Sequence, residues 1–163
     1  MVRVQNMKII NKSKYNTKFL TGLIDFINKD LNIQVKEIEF KTGRSLFHGS
    51  YYYKKNRILV RTNPTNKLYP YKVQYERKTI NLNYYNGYLD YLLLNHYESL
   101  VHVLAHELRH AWQHKNRKNR DKWIHNSYGK FSNKDADSFA IKKTRELRHK
   151  TRHIFSNKVP ITW

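Results

Sequence analysis

Two histidines four residues apart, His106 and His110, bracket an acidic residue in the run His106-Glu107-Leu108-Arg109-His110. On an α-helix, side chains four apart project from one face about one turn apart. Two imidazoles so placed can bind a single Zn²⁺ through nitrogen, and zinc accepts nitrogen and oxygen ligands in a tetrahedron. Glu107 directly follows the first histidine and is not a ligand in this arrangement. It is placed to take a proton from a zinc-activated water and to deliver one to a leaving amine. The chemistry implied is hydrolysis of a peptide bond.

A catalytic zinc normally has a third protein ligand and keeps its fourth position for water. Asp137, Asp135 and His125 compete for that place. At about 100° per residue, Asn133, Ala136, Asp137, Ala140, Thr144 and Leu147 share one face of a helix, and Asp135 points nearly the other way. Small residues beside Asp137 would let its helix approach the metal helix closely, and Asp135 has another role open as capping partner of Ser132. Asp137 is therefore the favoured third ligand, with Asp135 and His125 as alternates. His114 continues the four-residue spacing but lies a further turn away, outside direct reach of the metal. His48, His96, His102, His149 and His153 have no comparable arrangement and read as surface or structural residues.

These groups need elements to hold them. Asn95 with Glu98 forms an N-cap and capping-box pair, and the helix it opens runs through Leu100, Val103, Leu104, Leu108 and Trp112 to about Lys115. A basic loop, 115–122, follows. Ser132 with Asp135 opens a last helix through Phe139, Ala140 and Leu147, and the chain from Arg148 reads as a basic tail. Upstream, Leu20, Leu23, Ile24 and Ile27 keep helical spacing over 17–31, with Asn16 as N-cap. Alternation over 33–40 suits a strand, and strands at 50–53 and 57–61 would be joined by a turn at Lys54-Lys55-Asn56. Pro64 and Pro70 break regular structure, 78–83 could form a strand, and Asn86-Gly87 marks a turn. The apolar run 88–94 reads as a helical turn leading into the metal helix.

The chain's 163 residues fit one domain, 1–163, of the α+β class. It has no cysteine, which excludes disulfides and thiolate metal sites. No stretch has the length of a signal-peptide core or a membrane span, so the expectation is a soluble cytoplasmic protein with no membrane partner. Thirty-two Lys and Arg against twelve acidic residues give a net charge of +20. Such an excess favours polyanionic partners, nucleic acid first. An ordinary Lys- and Asn-rich composition that keeps the chain in solution accounts for the same number. The thirteen tyrosines and seven phenylalanines could stack on bases, although core and sheet positions are their usual place.

The run His-Glu-Leu-Arg-His-Ala-Trp-Gln from His106, followed by Asp135-Ala136-Asp137-Ser138-Phe139-Ala140, resembles the zincin metallopeptidases, in particular the small ImmA/IrrE-like and phage-borne gluzincins. The resemblance implies a minimal zincin-like domain: an N-terminal helix, a small mixed sheet, the zinc helix and a C-terminal ligand helix. It also implies an edge strand, from the 49–61 segment, that binds substrate by strand addition. In that branch a glutamate stands three residues before the alanine, where this chain has Asn133. Either Asp137 or Asp135 takes over the ligand role, or the zinc site is weakened or lost. A second resemblance is to the SprT-like proteases, whose third ligand is a histidine some fifteen residues beyond the second. His125 stands at that distance, with Gly129 and Phe131 after it, and action on DNA-bound proteins would suit the charge. Two functions therefore stand as expectations. One is a zinc endopeptidase, acting on DNA-associated proteins. The other is a basic nucleic-acid-binding protein on a zincin scaffold with weak or no proteolysis.

Overall fold

Leu20, Leu23, Ile24 and Ile27 are all buried along one side of helix α1, Thr17–Asn28. The Asn16 carboxamide accepts hydrogen bonds from the backbone N–H groups of Lys18 and Phe19, satisfying donors that a helix start leaves free. The structure is a computed structural model that describes residues 7–43, 47–63, 69–76, 88–116 and 133–156. Helix α1 is preceded by strand β1, Lys8–Lys12, and followed by β2, Glu37–Thr42. β1 pairs parallel with β2, so α1 is the crossover of a β-α-β unit.

The expected second strand is real but starts later than the alternation at 33–36 suggested. Ile33 and Val35 are buried all the same, as parts of a non-strand approach to the sheet. β3, His48–Tyr52, and β4, Arg57–Thr62, are antiparallel and joined by a 3-10 turn at Tyr53–Lys55. Asn56 closes that turn at φ 46°, the left-handed region an asparagine tolerates better than most residues. β4 also pairs parallel with β2, which gives a mixed sheet of order β1-β2-β4-β3 with β3 at its edge.

Two further strands, β5 (Tyr71–Glu76) and β6 (Tyr88–Leu93), form a separate antiparallel pair. The helical turn expected at 88–94 is thus a strand. In it Tyr91 and Leu93 are buried and Leu92 is exposed, an alternation hidden in the sequence because all three residues are apolar. The strand expected at 78–83 and the turn at Asn86-Gly87 lie outside the described residues.

Helix α2, His96–Asn116, starts where the capping pair predicts. The Asn95 carboxamide accepts from Glu98 N–H at 3.0 Å, while the Glu98 carboxylate reaches back one residue further, to Leu94 N–H at 2.8 Å. Helix α3 spans Asn133–Ser156, so the segment from Arg148, read as a tail, continues the helix. It is held there because Arg148 grips buried Glu98 through two bonds of 2.8 and 2.7 Å and donates to Leu92 O.

Phe40 and Ile38 on β2, Ile58 and Val60 on β4, the apolar side of α1, and Leu100, Leu104 and Leu108 on α2 form one core. Ala136, Ala140 and Thr144 are fully buried along α3, and their small size allows α3 to lie close on α2. The fold is therefore α+β, as expected. No helix among the described residues is long and apolar enough to cross a membrane.

Candidate metal and catalytic site

The side of α2 turned away from the core carries His106 and His110, whose Nε2 atoms lie 2.9 Å apart. Each ring is fixed from behind. His106 Nδ1 is 2.8 Å from Asp137 Oδ1, and His110 Nδ1 is 2.7 Å from Gln113 Oε1. Gln113 is itself oriented, because its amide nitrogen donates to Asp135 Oδ2 at 3.1 Å. The amide oxygen is then the acceptor for His110, so the proton of that ring belongs on Nδ1. The Asp137 carboxylate likewise requires a proton on Nδ1 of His106. Both Nε2 atoms therefore face each other across a gap that needs a positive charge to hold it.

The protonation preferences agree with that reading. Burial pulls His106 down, but the Asp137 bond and the charges of Glu107 and Asp137 outweigh it, and the ring is raised above an ordinary histidine. Burial, and next to it the charge on His106, lowers His110 to about 4, against hydrogen bonds from Gln113 and Asn133. A proton on the Nε2 of His106 would be shared with His110, whose ring is the weaker base of the two.

Glu107 sits between this pair and the edge strand. It is buried, and burial raises its carboxyl above the usual range, against the charge of His106 and a bond from the Tyr51 backbone N–H. The strand comes this close because position 49 has no side chain. A Cβ on Gly49 would stand 2.5 Å from Glu107 Cγ and 2.7 Å from Val103 Cγ1. A cavity of about 350 Å³ opens beside Glu107 and His106, walled by Phe47, Gly49, Val73, Leu93, His102 and Val103. His102 is lowered to about 4, by burial first and the charge of His106 next.

The candidates for a third ligand fall in different places. Asp137 binds the far nitrogen of His106, away from the facing Nε2 pair. Asp135 does not turn away from α2 as helical projection suggested. It is buried and forms a fork with Arg109, Nε to Oδ2 at 2.6 Å and Nη2 to Oδ1 at 3.1 Å. The close approach of α3 lets Asp135 and Asp137 straddle α2 from its two sides. His125 and Ser132 lie outside the described residues. Among the described residues, no three His, Asp or Glu side chains converge as a metal-ligand set.

The donor set nonetheless fits zinc. Two nitrogens on one tetrahedral zinc at about 2.0–2.1 Å lie about 3.3 Å apart, so the rings need to separate by only about 0.4 Å. The Asn133 side chain also hydrogen-bonds the His110 ring, which puts a neutral polar group beside it.

The other histidines whose side chains are described lie elsewhere, and the side chain of His153 lies outside the described residues. His114 packs against Tyr51 and Tyr53, ring centroids 6.0 and 5.5 Å away, and His96 bonds the Tyr15 hydroxyl at 2.9 Å. His48 and His149 are exposed. Sequence reasoning missed Gln113, Arg109, Gly49 and His102. Gln113 stands three residues after His110, the helical neighbour spacing, and could have been found by asking what orients that ring. No family model, curated protein or solved structure matches this chain.

Proposed function

We propose that the chain is a zinc-dependent endopeptidase in which His106 and His110 hold the metal and Glu107 is the general base. The observation that carries this reading is the facing pair of Nε2 atoms at 2.9 Å, each ring fixed at its other nitrogen by an acceptor. A ligand histidine held at its second nitrogen by a carboxylate or amide is the usual support of a metal centre. Zinc bound there would polarise the scissile carbonyl and acidify a water.

The chain's own residues do the rest. An extended peptide adds to the side of β3 that no strand covers among the described residues, where backbone pairing fixes its direction. Glu107, shielded beneath Gly49 and steadied by the Tyr51 N–H, takes the proton of the attacking water. It then passes that proton to the amine as the peptide bond breaks. Asp137 keeps the Nε2 lone pair of His106 turned to the metal, and Asp135 does the same for His110 through Gln113. In this reading Asp137 and Asp135 act as orienting carboxylates, and the third ligand is the Asn133 amide oxygen or His125. The net charge of +20 favours proteins bound to nucleic acid as substrates.

Elemental analysis of the purified protein, with peptide hydrolysis followed for the native chain and Glu107→Gln, tests the proposal. About one zinc per chain is expected in both proteins, with hydrolysis lost in the variant alone. A native protein that takes up no zinc on reconstitution ends the peptidase reading and leaves the basic binding protein.

A further inference from the structure

The cavity beside Glu107 contains a polar group that the hydrolysis does not use. His102 stands one turn before His106 on α2 and lines the cavity, and its Nδ1 is buried with no hydrogen-bond partner. A buried polar nitrogen without a partner costs on the order of 1–3 kcal/mol and calls for an explanation. Its polar neighbours are engaged elsewhere. Ser99 receives the Tyr69 hydroxyl at 2.8 Å, and His106 and Glu107 belong to the reacting centre.

The position of Nδ1 also selects a tautomer. An orphaned N–H is less tolerable in a protein interior than an orphaned acceptor. Nδ1 is therefore the bare nitrogen, and the ring proton sits on Nε2, on the edge left to face the cavity. Phe47, Val73, Leu93 and Val103 form the apolar part of the wall, and His48, Tyr71 and Ser99 line it as well. The cavity, about 350 Å³ in volume, thus sets apolar walls beside the His102 donor. An occupant needs an apolar stem and an oxygen acceptor at its tip. A carboxylate is disfavoured because Glu107 lines the same space. A carboxamide meets both conditions, and glutamine has the longer stem.

We infer that His102 is a specificity-determining residue, donating from Nε2 to the carboxamide oxygen of a substrate glutamine next to the scissile bond. This rests on the peptidase reading above, and the test separates the two. Zinc-loaded protein is given a library of cellular peptides, and the cut sites are read by mass spectrometry. In parallel, the Glu107→Gln protein is bound to immobilised peptides that differ only by Gln or Leu at one position. The tautomer of His102 is read by long-range ¹⁵N NMR.

Gln should be enriched over Leu and Glu at one position beside the cut made by the native protein, and Gln peptides should bind the Glu107→Gln protein about tenfold tighter than their Leu counterparts. His102→Leu should reverse the order of Gln and Leu, and the native ring should carry its proton on Nε2. A proton on Nδ1, or native cleavage and binding indifferent to Gln, overturns the assignment whether or not the variant folds. Selective Gln binding with no cleavage by the native protein sustains the assignment and overturns the peptidase reading. Neither cleavage nor selective binding overturns both.

Discussion

Helix α2 has two sides that hold their neighbours by opposite means. Toward the sheet and α1 it presents Leu100, Leu104 and Leu108, all essentially without solvent contact, and the attachment is apolar packing. Toward the first turns of α3 it presents Arg109, Gln113, His106 and His110, and the attachment is a set of directed bonds to Asp135 and Asp137. Apolar packing is strong but indifferent to the rotation of any one ring. Hydrogen bonds add less net stability but fix orientation. The molecule thus separates holding α2 in place from aiming the rings it carries.

Breaking the apolar side should cost the most. Leu104→Ala removes a fully buried side chain between α2 and the sheet, and about 2–5 kcal/mol of stability should be lost in urea titration. The molecules that remain folded should bind zinc as tightly as before. A large fall in zinc affinity in the folded fraction would show that packing also aims the rings.

On the polar side, Asp135→Ala removes one acceptor shared by Arg109 and the Gln113 amide, in a place where Asp135 is only 8% exposed. A loss of about 1–3 kcal/mol is expected, together with weaker zinc binding because Gln113 is freed to turn. Asp137→Ala sharpens the contrast. The side chain is 25% exposed, so stability should change by less than about 1 kcal/mol. Zinc affinity, read by competition with a chelator, should fall about 10- to 100-fold. Equal affinity in this variant and the native chain would remove Asp137 from the site.

The smallest effect lies far from the site and concerns acid. The Lys12 hydrogen bond holds Glu39 below the usual carboxylate range, helped by the charges of Lys12 and Arg57, against its burial. Burial pushes Asp30 up, but bonds and charges from Lys143 and Lys142 prevail and lower it. A carboxyl with a lowered folded-state pKa adds stability above its ordinary value near 4, which is lost as pH falls through the lowered one. Unfolding free energy should therefore decline below about pH 4, and Glu39→Gln should flatten part of that decline. A decline unchanged in the variant would assign the acid sensitivity elsewhere.

The legible and illegible parts of this chain divide along the same physical line. α1 and α2 announce themselves because their apolar residues keep a 3.6 period and an asparagine caps each start. β1 does not, since Lys8–Lys12 is five residues with polar ends and no fully buried member. β6 was hidden by the unbroken apolar run over 91–93, and α3 runs on past Arg148 because of an ion pair with Glu98, fifty residues earlier in the chain. At the site, His106, Glu107 and His110 could be read because their geometry is local to one helix. The partners of Asp135 and the close approach of Gly49 depend on how distant segments meet, and no local spacing encodes that.

Gly49 has a consequence for how variation at this locus should look. The backbone there lies so close to the Glu107 side chain that even a methyl group has no room. A selection for inactive alleles should return Gly49 beside Glu107, although the glycine carries no reactive group. Those alleles should still encode folded, zinc-loaded chains, indistinguishable from the Glu107 class in everything but the strand's distance from the helix.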